Sequence, residues 1–304
     1  MTQFCAQYSQ EVGEPLPGTA AHLPNNLLLS WPIGDWTRTY HQAKSMTPEV
    51  SDQIRALVAA GRRVNLIHRA DQGGDVHRAY LMPECLAFNV PRGELAAFLD
   101  ALQQQQSLAP WQVGAVHSRI LLCCTHGVKD KCCAKFGNAA FKALDQAAQA
   151  YDDAFEIWQS SHLGGCRLAS SALMFPALRK YGRIEPEQAG ALLQAELADQ
   201  PYLPNYRGDG RLSPAQQVAD VAAREHLQSA GTVPLNIELT ELPASRAGGL
   251  DFHAHWQSVS AEGALYVQLE AITSVRYGTC ADIDEGLPPA VYDTWQPVVV
   301  EAVS

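Results

Sequence analysis

The chemistry this chain can offer is concentrated in one stretch. Between Leu121 and Arg167 lie Cys123, Cys124, Cys132, Cys133 and Cys166, five of the eight cysteines, together with His126 and His162. Thiolates and imidazoles are the ligands of zinc and of iron–sulfur centres. Adjacent cysteine pairs are poor disulfide partners, and eight cysteines in 304 residues do not make a disulfide framework. A thiol oxidoreductase of thioredoxin type would need C-x-x-C at a strand–helix junction, and the sequence has none. The stretch therefore reads as a redox metal site.

The spacing says which residues can meet. Eight residues separate Cys124 from Cys133, and three separate His162 from Cys166. Residues 119–123 read as a strand, the cysteine loop follows, and a helix is expected from about 133 to 150. The next strand covers 155–159 and leads into the loop HLGGC. Consecutive parallel strands joined by a right-handed crossover bring both loops to the carboxyl edge of one sheet. Cys124, Cys133, His162 and Cys166 then converge. Gly164 and Gly165 let the backbone pass close to whatever they hold. The helix start near Cys133 offers free N–H groups and the positive end of a dipole. Three thiolates and an imidazole suit either an iron–sulfur cluster or zinc.

The elements around the loops follow one plan twice. Residues 1–24 look like an extended arm. A buried strand at 26–31 precedes a helix that starts at Thr47-Pro48 and stops at Gly61. Strands at 63–68, 78–82 and 85–90 and an amphipathic helix at 92–105 follow. The second half adds apolar segments at 171–175 and 181–184 and a helix at 186–197. Both halves read βαββα, the thioredoxin-type order. The fold expected is thus α/β with two thioredoxin-like halves plus a C-terminal helix and a small antiparallel β extension. The boundaries are an arm over 1–24, a half without a site over 25–112, a half with the site over 113–200, and the extension over 201–304.

Composition sets the class. Hydrophobic residues make up 47% and charged residues 18%, as in a soluble globular protein. No apolar run approaches the roughly 18 residues of a membrane span, and the N-terminus lacks the basic and apolar regions of a secretory signal. A cytoplasmic protein without membrane association is expected. The net charge of −10 argues against nucleic-acid binding. Locally the sign reverses: residues 121–183 hold eight basic and five acidic residues, and five of the six lysines (Lys129, Lys131, Lys135, Lys142 and Lys180). Such a positive rim would steer an acidic redox partner, for example a flavin reductase or a ferredoxin-type donor.

Three sets of residues resemble a known family. The first is C-T-H-G-x-x-D-K-C-C-A-x-x-G from Cys124, followed by W-x-x-S-H-x-G-G-x-R-x-A from Trp158, a pattern this sequence follows with Ser160 and Ser161 before His162. The second is Cys5 with Gly13-Glu14-Pro15-Leu16 and Gly18-Thr19-Ala20. The third is Tyr181-Gly182-Arg183 with Asn205-Tyr206-Arg207-Gly208. These resemble the sucrase/ferredoxin-like proteins over about residues 4–230. The resemblance implies a thioredoxin-like ferredoxin domain whose [2Fe-2S] cluster is held at Cys124, Cys133, His162 and Cys166. In the family the last position can be His; here it is Cys166, so the implied set is three cysteines and one histidine.

That set has consequences. Three thiolates and a neutral imidazole leave an oxidised [2Fe-2S] site singly negative, against doubly negative for four thiolates. Reduction is then easier, and the midpoint is expected between about −400 mV and roughly −150 mV. The expected function is one-electron transfer. The alternatives are a sensing module that uses the cluster as a switch and a Cys3His zinc protein. Sucrose cleavage would need two carboxylates flanking a glycosidic bond, and nothing in the sequence marks such a pair. Around the site, His126 and Ser161 are candidates for hydrogen bonds to the cluster, Lys129 for the docking rim and Arg167 for shielding its charge. Cys123 and Cys132 read as packing residues, with ligand exchange as the alternative. Cys5, Cys85 and Cys280 read as isolated thiols.

Overall fold

The computed structural model describes residues 3–303; residues 1–2 of the expected arm and Ser304 lie outside it. The N-terminal half is built from β1 (Asn26–Ser30), α2 (Pro48–Ala59), β2 (Arg63–His68), β3 (Val76–Met82), β4 (Leu86–Pro91) and α3 (Leu95–Gln103). Thr47 caps α2 by accepting from the Val50 N–H, with Pro48 in the first turn. β1 runs parallel to β2 and antiparallel to β3, and β3 is antiparallel to β4. The second half repeats this with β6 (Arg119–Cys124), α4 (Asn138–Ala148), β7 (Phe155–Ser160), β8 (Ala172–Phe175), β9 (Arg179–Tyr181) and α5 (Ala189–Leu197). β6 is parallel to β7 and antiparallel to β8. Both halves are therefore thioredoxin-like.

They form one sheet. β2 pairs antiparallel with β7 through Ile67–Ser160 and His68–Gln159, and with β5 (Gln112–Ala115) and β10 (Tyr206–Asp209) the order is β10-β9-β8-β6-β7-β2-β1-β3-β4-β5. The outermost strands, β5 and β10, lie outside the strands expected from the sequence. β5 straddles the expected boundary at 112, and β10 shows that the second half continues past residue 200. Side chains alternate across the strands. Leu27, Leu29, Val64 and Leu66 join one core with Ile54 and Phe98 of α2 and α3. Leu121, Cys123 and Ile157 join another with Leu144 and Leu192 of α4 and α5. The opposite face, with Leu28, Ile67, Ile120, Leu122 and Cys124, forms a third core that runs across both halves.

That third core corrects the expected arm. Cys5–Glu11 is a helix, α1, with Cys5, Ala6 and Ser9 buried. It closes the core together with Cys280 at the start of α7 (Cys280–Asp284). The extension consists of α6 (Pro214–Ser229) and an antiparallel meander of β11 (Asn236–Leu242), β12 (Gly249–Gln257), β13 (Glu262–Arg276) and β14 (Ala290–Ala302). Ser213 and Gln216 form a capping box on α6. Val218, Ala222 and Leu227 of α6 pack on Phe252, Leu265 and Val267 of the meander. No helix is long and apolar enough to cross a membrane among the described residues.

Candidate metal centre

β6 ends at Cys124, and its parallel neighbour β7 ends at Ser160, two residues before His162. Both loops therefore leave the same edge of the sheet. Between β6 and α4 the chain makes a π-helical turn over Cys133–Gly137, a widening often found at functional sites. This turn packs so closely on β6 that a Cβ at Gly137 would lie 2.0 Å from the Cys124 carbonyl oxygen. The second loop turns through Gly164 and Gly165, with φ of 92° and 79°, and delivers Cys166 into a short 3-10 turn. Left-handed backbone of this kind favours glycine.

The two loops bring these residues into one neighbourhood: Cys124, Cys133 and Cys166 belong to a single buried cluster. His162 Nδ1 lies 3.3 Å from Cys166 Sγ. The three cysteines are buried, while His162 is partly exposed at the rim. The charges follow from the contacts. The neighbouring Cys133 thiol pulls Cys124 well down, and Cys133, with His162, brings Cys166 down to about 7. Accepting partners on both sides push Cys133 well up. Burial opposes a charge on His162, but its hydrogen bonds to Cys124 and Cys166 outweigh that and raise it to about 9. Three sulfurs and one imidazole, the soft donors of a metal site, are thus gathered on two loops.

The surroundings are cationic. Arg63 Nη2 donates to the His162 carbonyl at 2.5 Å. Arg207 Nη1 donates to Gly164 O at 3.3 Å, and a Cβ on Gly165 would meet the same guanidinium at 2.9 Å. Burial lowers Arg207 to about 9, so it is charged at neutral pH. Lys180 Nζ donates to Leu163 O at 2.9 Å and Ala21 O at 3.2 Å. Its burial, then Arg207 and Arg63, hold it well below the usual ammonium range. Lys180 is thus an interior residue, not part of a rim. The sequence reading passed over Arg63, placed Lys180 on the rim and gave Arg207 no role at the site. Only Arg207 left a signal, within Asn205-Tyr206-Arg207-Gly208.

The other expected neighbours hold different posts. The His126 ring accepts from His162 N at 3.1 Å through Nδ1 and contacts Thr37 O at 2.8 Å through Nε2. Ser161 Oγ accepts from Leu66 N at 3.0 Å and Asn65 Nδ2 at 3.3 Å, and Ser160 Oγ donates to Ser161 O at 3.0 Å. Both hydroxyls therefore serve the seam between the halves. Arg167 pairs with buried Glu14 at 2.6 Å, which commits it to α1 and its following turn. Lys129 is half-buried with its N–H on His126 O. Lys131 is paired with Asp284, and Lys135 lies over the Phe4 ring. Cys123 points to the opposite face of β6, its thiol 3.5 Å from Gly137 O. Cys132, Cys5 and Cys280 are not isolated: they meet beside Asp130.

A family model described as sucrase/ferredoxin-like matches residues 16–208, which ends within β10. No curated protein matches the chain. Among solved structures, a thioredoxin-like [2Fe-2S] ferredoxin from Aquifex aeolicus is similar at 15% identity with a TM-score of 0.29, covering 32% of this chain and 96% of its own. A 1.5 Å structure of the wild-type ferredoxin from the same organism is 14% identical with a TM-score of 0.27, covering 30% and 97%.

Proposed function

Because the chain belongs to the sucrase/ferredoxin-like family, we propose that it is a [2Fe-2S] protein that transfers single electrons, its cluster held by Cys124, Cys133, His162 and Cys166. The observation that supports this reading is that the loops carrying those residues leave the same sheet edge from β6 and β7, with the three cysteines in one buried cluster and His162 Nδ1 3.3 Å from Cys166 Sγ. The donor set fits the group in chemistry: three thiols and one imidazole, buried and flanked by cations. Bound there, the cluster supplies one-electron reduction and reoxidation. The His126 ring accepts from the His162 N–H and so fixes the start of the second loop. Arg63 and Arg207 set positive charge behind the second loop, which favours the more negative, reduced state. Partly exposed His162 is the side from which an electron enters or leaves. The partner is a redox protein, an acidic flavin reductase or a ferredoxin-type donor, and exposed Lys135 and Lys142 are the rim charges it meets.

The test is composition and colour. The purified chain should carry two iron and two acid-labile sulfide and be brown. Cys124→Ser and Cys133→Ser should each lose the visible absorption, while Cys85→Ser, between β3 and β4 of the other half, should keep it. A colourless parent after anaerobic reconstitution with iron and sulfide would reject the assignment.

A further inference from the structure

We propose that Cys5, Cys132, Cys280 and Asp130 form a second, mononuclear metal site, and that its ion is zinc. The three sulfurs form a triangle: Cys5–Cys132 3.5 Å, Cys132–Cys280 3.1 Å and Cys280–Cys5 3.5 Å. Asp130 Oδ2 lies 3.9 Å from Cys5 Sγ. All four ligand atoms are within 4.8 Å of one another and all four residues are buried. Zinc with thiolates at ~2.3 Å in a tetrahedron sets sulfurs about 3.8 Å apart, close to the triangle seen. A two-iron core needs its ligand pairs spread across the cluster, so this compact group fits one ion.

Electrostatics point the same way. Three thiols and a carboxylate share an interior pocket, and a buried carboxylate needs compensation. Backbone N–H groups of Cys132 and Cys280 donate to Asp130 Oδ1 and Oδ2, both at 2.8 Å, and the Cys5 N–H points at Cys280 Sγ at 3.4 Å. These orient the ligands but add no full charge. The adjacent Lys131 is turned away to Asp284. A divalent ion supplies the missing positive charge. Soft thiolates in a closed, four-ligand, buried arrangement are the setting of structural zinc. Odd thiol number also leaves one sulfur over if two of them form a disulfide.

The placement gives the site a task. Cys5 opens α1, Cys280 opens α7, and Asp130 and Cys132 belong to the loop that carries Cys133. One ion would pin α1 and α7 to the loop that carries Cys133. This proposal does not rest on the iron–sulfur assignment.

The full chain, expressed with iron and zinc both supplied, is assayed for each metal and for visible absorption. One zinc beside two iron in the same preparation is expected, since the filled Cys124–Cys166 set leaves zinc no place there. Cys280→Ser should hold zinc at least ~10-fold more weakly against a competing chelator, while Cys124→Ser keeps zinc and loses colour. A colourless chain whose single zinc is abolished by Cys280→Ser would sink the iron–sulfur reading and support this one. If Cys280→Ser does not accumulate as folded protein, X-ray absorption at the zinc edge of the unmutated chain decides: three sulfurs near ~2.3 Å with one oxygen support the site, and a shell without sulfur overturns it. The proposal also falls if the iron-loaded chain holds no zinc, if zinc is lost with Cys124→Ser but kept by Cys280→Ser, or if mass spectrometry of the untreated chain finds two of the three thiols joined in a disulfide.

Discussion

Arg207 is the residue whose role is most open to direct measurement. It is buried, charged at neutral pH, and donates to Gly164 O and to the Thr19 carbonyl. Removing its charge while keeping a donor, as in Arg207→Gln, makes the reduced site harder to form. The midpoint should fall by about 60 mV or more, one decade in the one-electron equilibrium. A redox titration of parent and variant checks this, and an unchanged midpoint would remove Arg207 from the electrostatics of the site. At this scale the sequence was informative about ligand types and poor about their surroundings. Cys124, Cys133, His162 and Cys166 could be brought together on paper because each pair is local and the two loops belong to consecutive strands. Arg63 and Lys180 could not, because each reaches the site from its own strand, β2 or β9. Cys5 and Cys280 were read as isolated, since their contact spans almost the whole chain.

The elements that aim these residues are held by close backbone approach. A methyl group at Gly137 would collide with the Cys124 carbonyl, and there is no flexible side chain to give way. Gly137→Ala should cost about 1–3 kcal/mol and weaken retention of the cluster, because β6 and the π-turn must separate. Denaturant unfolding followed by fluorescence and by visible absorption tests both effects; equal stability to the parent would contradict the packing described. Thr47→Ala, which removes the α2 cap in the other half, should cost ~1 kcal/mol and leave the absorption unchanged. Most elements were legible. β2 was read to its ends because Arg63–His68 is a short apolar run between Gly61 and a polar loop. β5 and β10 were not, since edge strands of four residues carry little periodicity. α1 was missed because a seven-residue helix with no side-chain cap has no start signal, and burial of Cys5, Ala6 and Ser9 determines its conformation.

At the scale of the molecule, two thioredoxin-like halves share one sheet, and the N-terminal segment wraps across the second. His22 sits on that wrap, its Nε2 2.8 Å from Asn26 Oδ1 and its N–H on Gly210 O. Burial, and then the charges of Lys180 and Arg63, push it down to about 2. In the unfolded chain it titrates near ~6.5, so between these values the unfolded state binds the extra proton. Its contribution to stability is complete above pH ~6.5 and is lost as pH falls toward 2, at up to about 1.4 kcal/mol per pH unit. His22→Gln should flatten that acid slope in unfolding measurements between pH 7.5 and 5; an identical slope would refute the role. The repeated βαββα order was visible in the sequence, whereas the pairing of β2 with β7 that unites the halves was not, because Ile67–Ser160 and His68–Gln159 are the whole of its register. The central claim remains the [2Fe-2S] site on Cys124, Cys133, His162 and Cys166. EPR of the anaerobic, dithionite-reduced chain tests it most directly. One unpaired-electron signal per chain, absent before reduction and abolished by Cys133→Ser, is the result expected. A silent spectrum from reduced protein containing iron and sulfide, or a signal that survives Cys133→Ser unchanged, would contradict it.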